Sequence, residues 1–298
     1  MSATTDDLST LQEDASFDEP LRRVSYEAGM MLGLEATRDE QRYHRRRLSR
    51  HQYWLHGYGT VAGMAVSKDP EDHSNATDPI GVKLLVSPGM GIDGLGREVL
   101  IHEPYCINLR EWLDAQTESH LREGYSDADD LLWLKVCVRQ KDCEVAAQPV
   151  LARKLNLSTD AVQPSRIADS VQLELIPSLP TADDDRYLPW AQHPAVASTT
   201  TGLSTAEQDE IDNAATPAEA DLLSLHARLL HALDSSGIDT DMLAEELEEG
   251  ARILLAHISL EVTDINAIVV NPRRISINNL VRPFVVNASQ LAWLARQP

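Results

Sequence analysis

"VKLLVSPGMGIDGLGREVLI", from Val82 to Ile101, is the stretch that decides the fold. An apolar run reaches Val86 and is punctuated by Pro88-Gly89. A second short run, Met90 to Asp93, is followed by Gly94-Leu95-Gly96, and the chain returns through Arg97 to Ile101. Two apolar runs around a glycine-bearing turn predict an antiparallel hairpin, with glycine where the turn needs positive φ. The neighbouring segments carry the same signal. "YGTVAGMAVS" (58–67) reads as a turn feeding a strand, and "DDLLWLKVCVRQ" (129–140), "SVQLELIPS" (170–178) and "RILLAHISLEV" (252–262) read as strands. "INAIVV" (265–270) and "RRISI" (273–277) predict two shorter ones.

Helices decorate this β framework. Arg22 to Tyr26 is expected as a first strand. Thr37 with Glu40 then suggests a capping box, opening a helix that runs to about His56 and stops at Gly57. "LREWLDAQ" (109–116) predicts a short helix. Thr216-Pro217-Ala218-Glu219 supplies an N-cap, a proline at the first helical position and a glutamate two residues on. A helix with Leu222, Leu225, Leu229 and Leu233 on one stripe should follow, ending at Ser235-Ser236-Gly237, with a second, acidic helix at about 240–249. Asn287 with Gln290 caps a last short helix through Trp293. The expected class is α+β: a mainly β core of antiparallel hairpins, an N-terminal Arg-rich helix and an inserted helical pair. The expected organisation is a disordered acidic tail at 1–19 and a helix plus β-rich core domain at 20–178. A mobile insertion at 179–215, a helical pair at 216–250, and C-terminal strands with a terminal helix at 251–298 complete it.

Composition restricts the function. Among 298 residues, 26 are Lys or Arg and 47 Asp or Glu, a formal net charge of -21. Such a balance argues against binding nucleic acid, which needs a basic face, and against anionic membranes. No apolar stretch reaches transmembrane length, so no membrane insertion is expected, and the polar start lacks a secretory h-region, so the site of synthesis is expected to be the cytoplasm. Hydrophobic residues are 43% of the chain but only two are Phe, so the core must be aliphatic. Cys106, Cys137 and Cys143 match no zinc pattern and read as buried free thiols.

Within this acidic chain six arginines (Arg38, Arg42, Arg45, Arg46, Arg47 and Arg50) crowd into thirteen residues. On a helical wheel His44, Leu48, His51 and Leu55 fall within about 60° of each other, which predicts an inward packing stripe. Arg42, Arg46, Arg50 and Tyr53 lie opposite, and Tyr43, Arg47 and Trp54 share a flank where Arg47 can stack on either ring. His44 and His51 are seven apart, unlike helical metal ligands at i, i+3 or i, i+4. The arginines either pair with the protein's own carboxylates or form a partner surface of Arg42, Arg46, Arg47, Arg50, Tyr53 and Trp54, because Arg, Tyr and Trp are the residues interfaces favour.

Catalytic patterns are missing. There is no G-x-S-x-G, P-loop or H-E-x-x-H. Gly89-Met90-Gly91 and Gly94-Leu95-Gly96 lack dinucleotide-binding spacing and read as turn chemistry, with Asp93 a turn residue. Asp183-Asp184-Asp185 lacks the alternating ligands and glycine turn of a calcium loop. No catalytic residue, metal site or cofactor is expected.

Three stretches together resemble a largely uncharacterised family of proteins encoded beside phage-tail-like contractile injection systems and related phage tail clusters. They are the arginine helix ending in "LHGYGTVAGMAVS", "VSPGMGIDGLGREVLIHEPYCINL" and "QPSRIADSVQLELIP". The matching positions are Gln41, Tyr43, His44, Arg45, Leu55, His56, Gly57, Gly59, Val61, Gly63, Pro88, Gly89, Ile92, Asp93, Gly96, Arg97 and Glu98, with Ser165 to Ile167 later. The resemblance covers about 23–110 and 130–178 and is weak over 180–250. Met31-Leu32-Gly33-Leu34 stands where a lysine-containing start is usual. It implies a structural, non-enzymatic subunit near a baseplate or its fibres, a homo-oligomer contacting other tail or baseplate subunits. His56, Gly57, Gly59, Pro88, Gly89, Asp93, Gly96 and Arg97 would be its structural motif. The rival readings are a ligand- or glycan-binding module using loops of the β core, and a hydrolase of unknown type.

Overall fold

A computed structural model of the chain describes residue 11 and residues 20–69, 83–149, 162–180, 203–231, 244–262 and 270–296. In chain order the elements are α1 (Leu34–His56), β1 (Gly59–Gly63), β2 (Val66–Lys68), β3 (Lys83–Val86), β4 (Gly89–Ile92), β5 (Glu98–Ile101), β6 (Tyr105–Asn108), α2 (Leu109–Asp114) and α3 (Glu118–Leu121). Then come β7 (Tyr125–Ser126), β8 (Leu131–Pro149), β9 (Val162–Pro177), α4 (Thr205–Asp212), α5 (Pro217–His231), α6 (Ala244–Gly250), β10 (Ile253–Val262), β11 (Val270–Asn278) and α7 (Ala288–Leu294). Every strand pair is antiparallel, in three sheets: β1-β4-β5, β2-β3-β6, and β11-β10-β8-β7 with β9 added on β8. The class is α+β and mainly β, as the strand patterning predicts.

The core is aliphatic and centred on β8 and β10. Leu132, Leu134, Val136 and Val138 alternate inward along β8, as period-2 patterning requires. In β10 every residue from Leu255 to Leu260 is buried, the polar His257 and Ser259 included, so this strand is covered on both faces. Val66, Leu84, Val86, Val99 and Ile101 join this core from the two smaller sheets.

The hairpin is β4 and β5, paired Ile92 to Glu98 and Gly89 to Ile101, with Gly96 at φ +77° in the turn. The preceding strand β3 pairs with β2 and β6 instead. The C-terminal segment locks the sheets together across the whole chain. The Asn279 side chain donates to the Val66 carbonyl and accepts from the Val66 N–H, imitating a strand neighbour. The buried Arg282 donates to the carbonyls of Met64 and Asn279 and to the Asn279 side chain. Burial lowers the Arg282 pKa to about 10.

Several expectations need correction. Residues 22–26 form no strand. The first helix starts at Leu34 with Gly33 as its cap, so Thr37 and Glu40 lie inside it; Thr37 donates to the Gly33 carbonyl and no capping box forms there. Ser204 and Glu207 do form a capping box, on α4, within a segment expected to be irregular. Its low apolar content hid a cap that is plain in the sequence. β8 and β9 extend well past 140 and before 170; their outer parts are mostly exposed on both faces, so no burial alternation marks them in the sequence. Residues 270–278 are one strand rather than parts of two. Cys137 is buried, and burial pushes its thiol up to about 12, but Cys106 is exposed and Cys143 half-buried. The expected acidic tail (apart from the buried Leu11), residues 181–202 of the expected insertion with Asp183–Asp185, and the stop at Ser235–Gly237 lie outside the described residues.

Candidate docking surface

The turn at 93–97 is where the N-terminal helix meets the β core. Asp93, fully buried, accepts from the N–H groups of Leu95 and Arg97 through Oδ1 and from Arg97 Nε through Oδ2 at 2.7 Å. Burial pushes the Asp93 carboxyl up, and the Arg97 guanidinium with the two N–H groups pulls against it. The loop is thereby fixed from inside. Gly96 then presents its bare Cα to the helix backbone: a Cβ there would stand 2.0 Å from the carbonyl oxygen of Ser49. On the other side, the Gly94 N–H donates to the carbonyl of Gly250, the last residue of α6.

That contact sets which face of α1 is inside. Its buried residues are Arg46, Ser49 and Tyr53. Ser49 is small enough for the turn to touch its backbone, and Arg46, only 8% exposed, lies one turn earlier. The wheel assignment is therefore inverted. Leu48 is 56% exposed and Leu55 68%, with His44 and His51 also exposed, so the expected packing stripe faces outward. Where α1 meets the hairpin turn, backbone approaches backbone at Ser49 and Gly96, so the small Ser49 stands on the inner face.

Of the partner residues expected from sequence, Arg46 and Tyr53 are buried, and Arg42, Arg50 and Trp54 are half-buried. Burial and then the neighbouring Arg46 charge lower the Arg50 pKa. Arg47 is exposed and lies over the Tyr43 ring at 5.8 Å, donating to its hydroxyl at 2.9 Å. Arg22, Arg42 and Arg46, with Pro20, Leu21, Asp39 and Tyr43, line a cavity of about 120 Å³. Glu40 ties the approaching chain to the helix: it accepts from the Val24 N–H at 3.0 Å and contacts His44. Those two interactions, the Val24 bond first, hold its carboxyl below the ordinary 4.5.

The outward face carries Leu34, Arg38, Gln41, Arg45, Leu48 and Leu55 at alternating spacings of four and three, with one skipped position, the half-buried Gln52. This is the seam spacing of helix pairs. The helical wheel groups Leu48 and Leu55 but turns them inward, and it does not include Leu34. Of the structural motif residues, Gly57 caps α1 through an N–H to the Tyr53 carbonyl, with His56 exposed beside it; Gly59 packs on Pro283; Pro88 and Gly89 pack on Gly63, with which Gly89 pairs across β1 and β4. Among the described residues no group of three or more His, Cys, Asp or Glu is placed to hold a metal ion, and no helix is long and apolar enough to cross a membrane.

No protein-family model and no curated protein matches the chain. Among solved structures it is similar to a chain of the type VI secretion system TssK-TssF-TssG baseplate subcomplex, at 12% identity and a TM-score of 0.28, over 78% of this chain and 82% of that one. A superposition that weak carries no argument.

Proposed function

We propose that the chain is a non-enzymatic structural subunit of a phage-tail-like contractile injection system, in or beside the baseplate or its fibres. The setting rests on the sequence resemblance over 23–110 and 130–178. The observation that carries the role is the inverted helix. One face of α1 is clamped to the hairpin turn, and the other exposes Leu48, Leu55 and Leu34 among Arg38, Arg45 and Arg47. Leucines at seam spacing with arginines beside them form a docking face for a neighbouring subunit, with an apolar centre and a charged rim. Arg47 and Trp54 remain in this surface; Arg46 and Tyr53 serve the fold.

The test is purification of contractile particles from cells that make the chain. The chain should be present in fixed, symmetric copy number and should resist a salt wash. Particles that assemble and contract normally without it would end this reading.

A further inference from the structure

β8 and β9 run on past β10 as a two-stranded ribbon, mostly exposed from Lys141 onward, with no further strand paired to it among the described residues. β10 pairs with β8 only as far as Val138, yet β8 and β9 remain paired from Arg139–Gln172 to Pro149–Val162. Eleven residues of β8 thus run past the sheet, about 35 Å at the usual rise. A lone two-stranded hairpin is marginal in water. Directly opposed residues share a face, and the hydrogen bonds confirm the assignment. Lys141 Nζ and Arg139 Nη2 both donate to Gln172 Oε1, while Gln140 Nε2 donates to Asp142 Oδ1 on the reverse side.

The two faces have opposite sign. One carries Lys141 and Arg166 around the 41% exposed Val145. The other carries Asp142, Glu144 and Asp169 around Ile167, 64% exposed. Among the described residues none of these five charged side chains makes an ion pair within the chain. Asp142 and Asp169 are cross-strand partners, a like-charge pairing that costs stability in an isolated ribbon. A cationic surface laid on that face would remove the cost, and the ribbon's own reverse face is such a surface.

From this we infer that the ribbon is an arm by which copies of this chain stack on one another, the acidic face of one against the cationic face of the next. Such a head-to-tail contact generates a ring or a helical array. It deepens the subunit reading by naming a second copy as a partner, and in that sense rests on it.

Two variants of the full chain test it by sedimentation equilibrium at low salt. Lys141→Glu/Arg166→Glu makes both faces acidic; Asp142→Lys/Asp169→Lys makes both cationic. The wild type should show mass rising with concentration. Each variant alone should associate at least about tenfold more weakly, because like-charged faces repel, and a one-to-one mixture should recover the wild-type mass. Melting midpoints report on folding; if either charge variant melts early, Val145→Gln/Ile167→Gln replaces it and should also weaken association. A wild type that stays monomeric, variants that associate like the wild type, or a mixture that does not recover would each overturn the inference. Loss here with normal incorporation into particles would leave the subunit reading standing.

Discussion

Gly96 and Ser49 meet backbone to backbone: a side-chain carbon on Gly96 would lie 2.0 Å from the Ser49 carbonyl oxygen, and Gly96 holds φ at +77°. Gly96→Val should therefore destabilise the protein by roughly 1–3 kcal/mol from the dihedral alone, with the clash adding to it. Gly33→Ala, where a new Cβ meets nothing within 4 Å, loses only the N-cap preference for glycine over alanine and should cost about 1 kcal/mol or less. Thermal melting of the two variants checks the contrast, and equal midpoints would contradict it.

The Asn279 side chain is bound to both backbone groups of the buried Val66, which lies 213 residues away in sequence. Asn279→Ala should cost roughly 1–3 kcal/mol, because it leaves those groups and Arg282 short of partners. Urea unfolding should show a lower midpoint at unchanged slope.

Glu40 supplies a pH dependence. Its folded pKa is lowered, first by the Val24 N–H and then by His44. A depressed carboxylate contributes stability above its unfolded value of 4.5 and loses it as pH falls through the lower folded value. Val24 amide protection, followed by hydrogen exchange, should persist at neutral pH and vanish on acidification below 4.5. In Glu40→Gln this acid transition should be absent.

The sequence makes the hairpin, the Asn287–Gln290 cap and the β8 and β10 cores legible, because each depends on local pattern: turn glycines, cap spacing, apolar alternation. It hides what depends on the partner element. Leu48 and Leu55 look like core on a wheel, since hydrophobicity alone assigns the face; only the contact of Gly96 with Ser49 turns them out. Ser49 was the available signal, a small residue centred among large ones. The ribbon was invisible for a related reason: Lys141 to Gln148 is mostly exposed on both faces, and period-2 patterning exists only where one face is buried.

The docking face is tested most directly by Leu48→Gln/Leu55→Gln, read as the amount of chain in purified particles beside its melting midpoint in isolation. Both leucines are mostly exposed, so each change should alter stability by no more than about 0.5 kcal/mol. The account predicts a normal midpoint and loss of the chain from particles. A lowered midpoint with undiminished incorporation would contradict it, for the leucines would then belong to the fold and not to a partner.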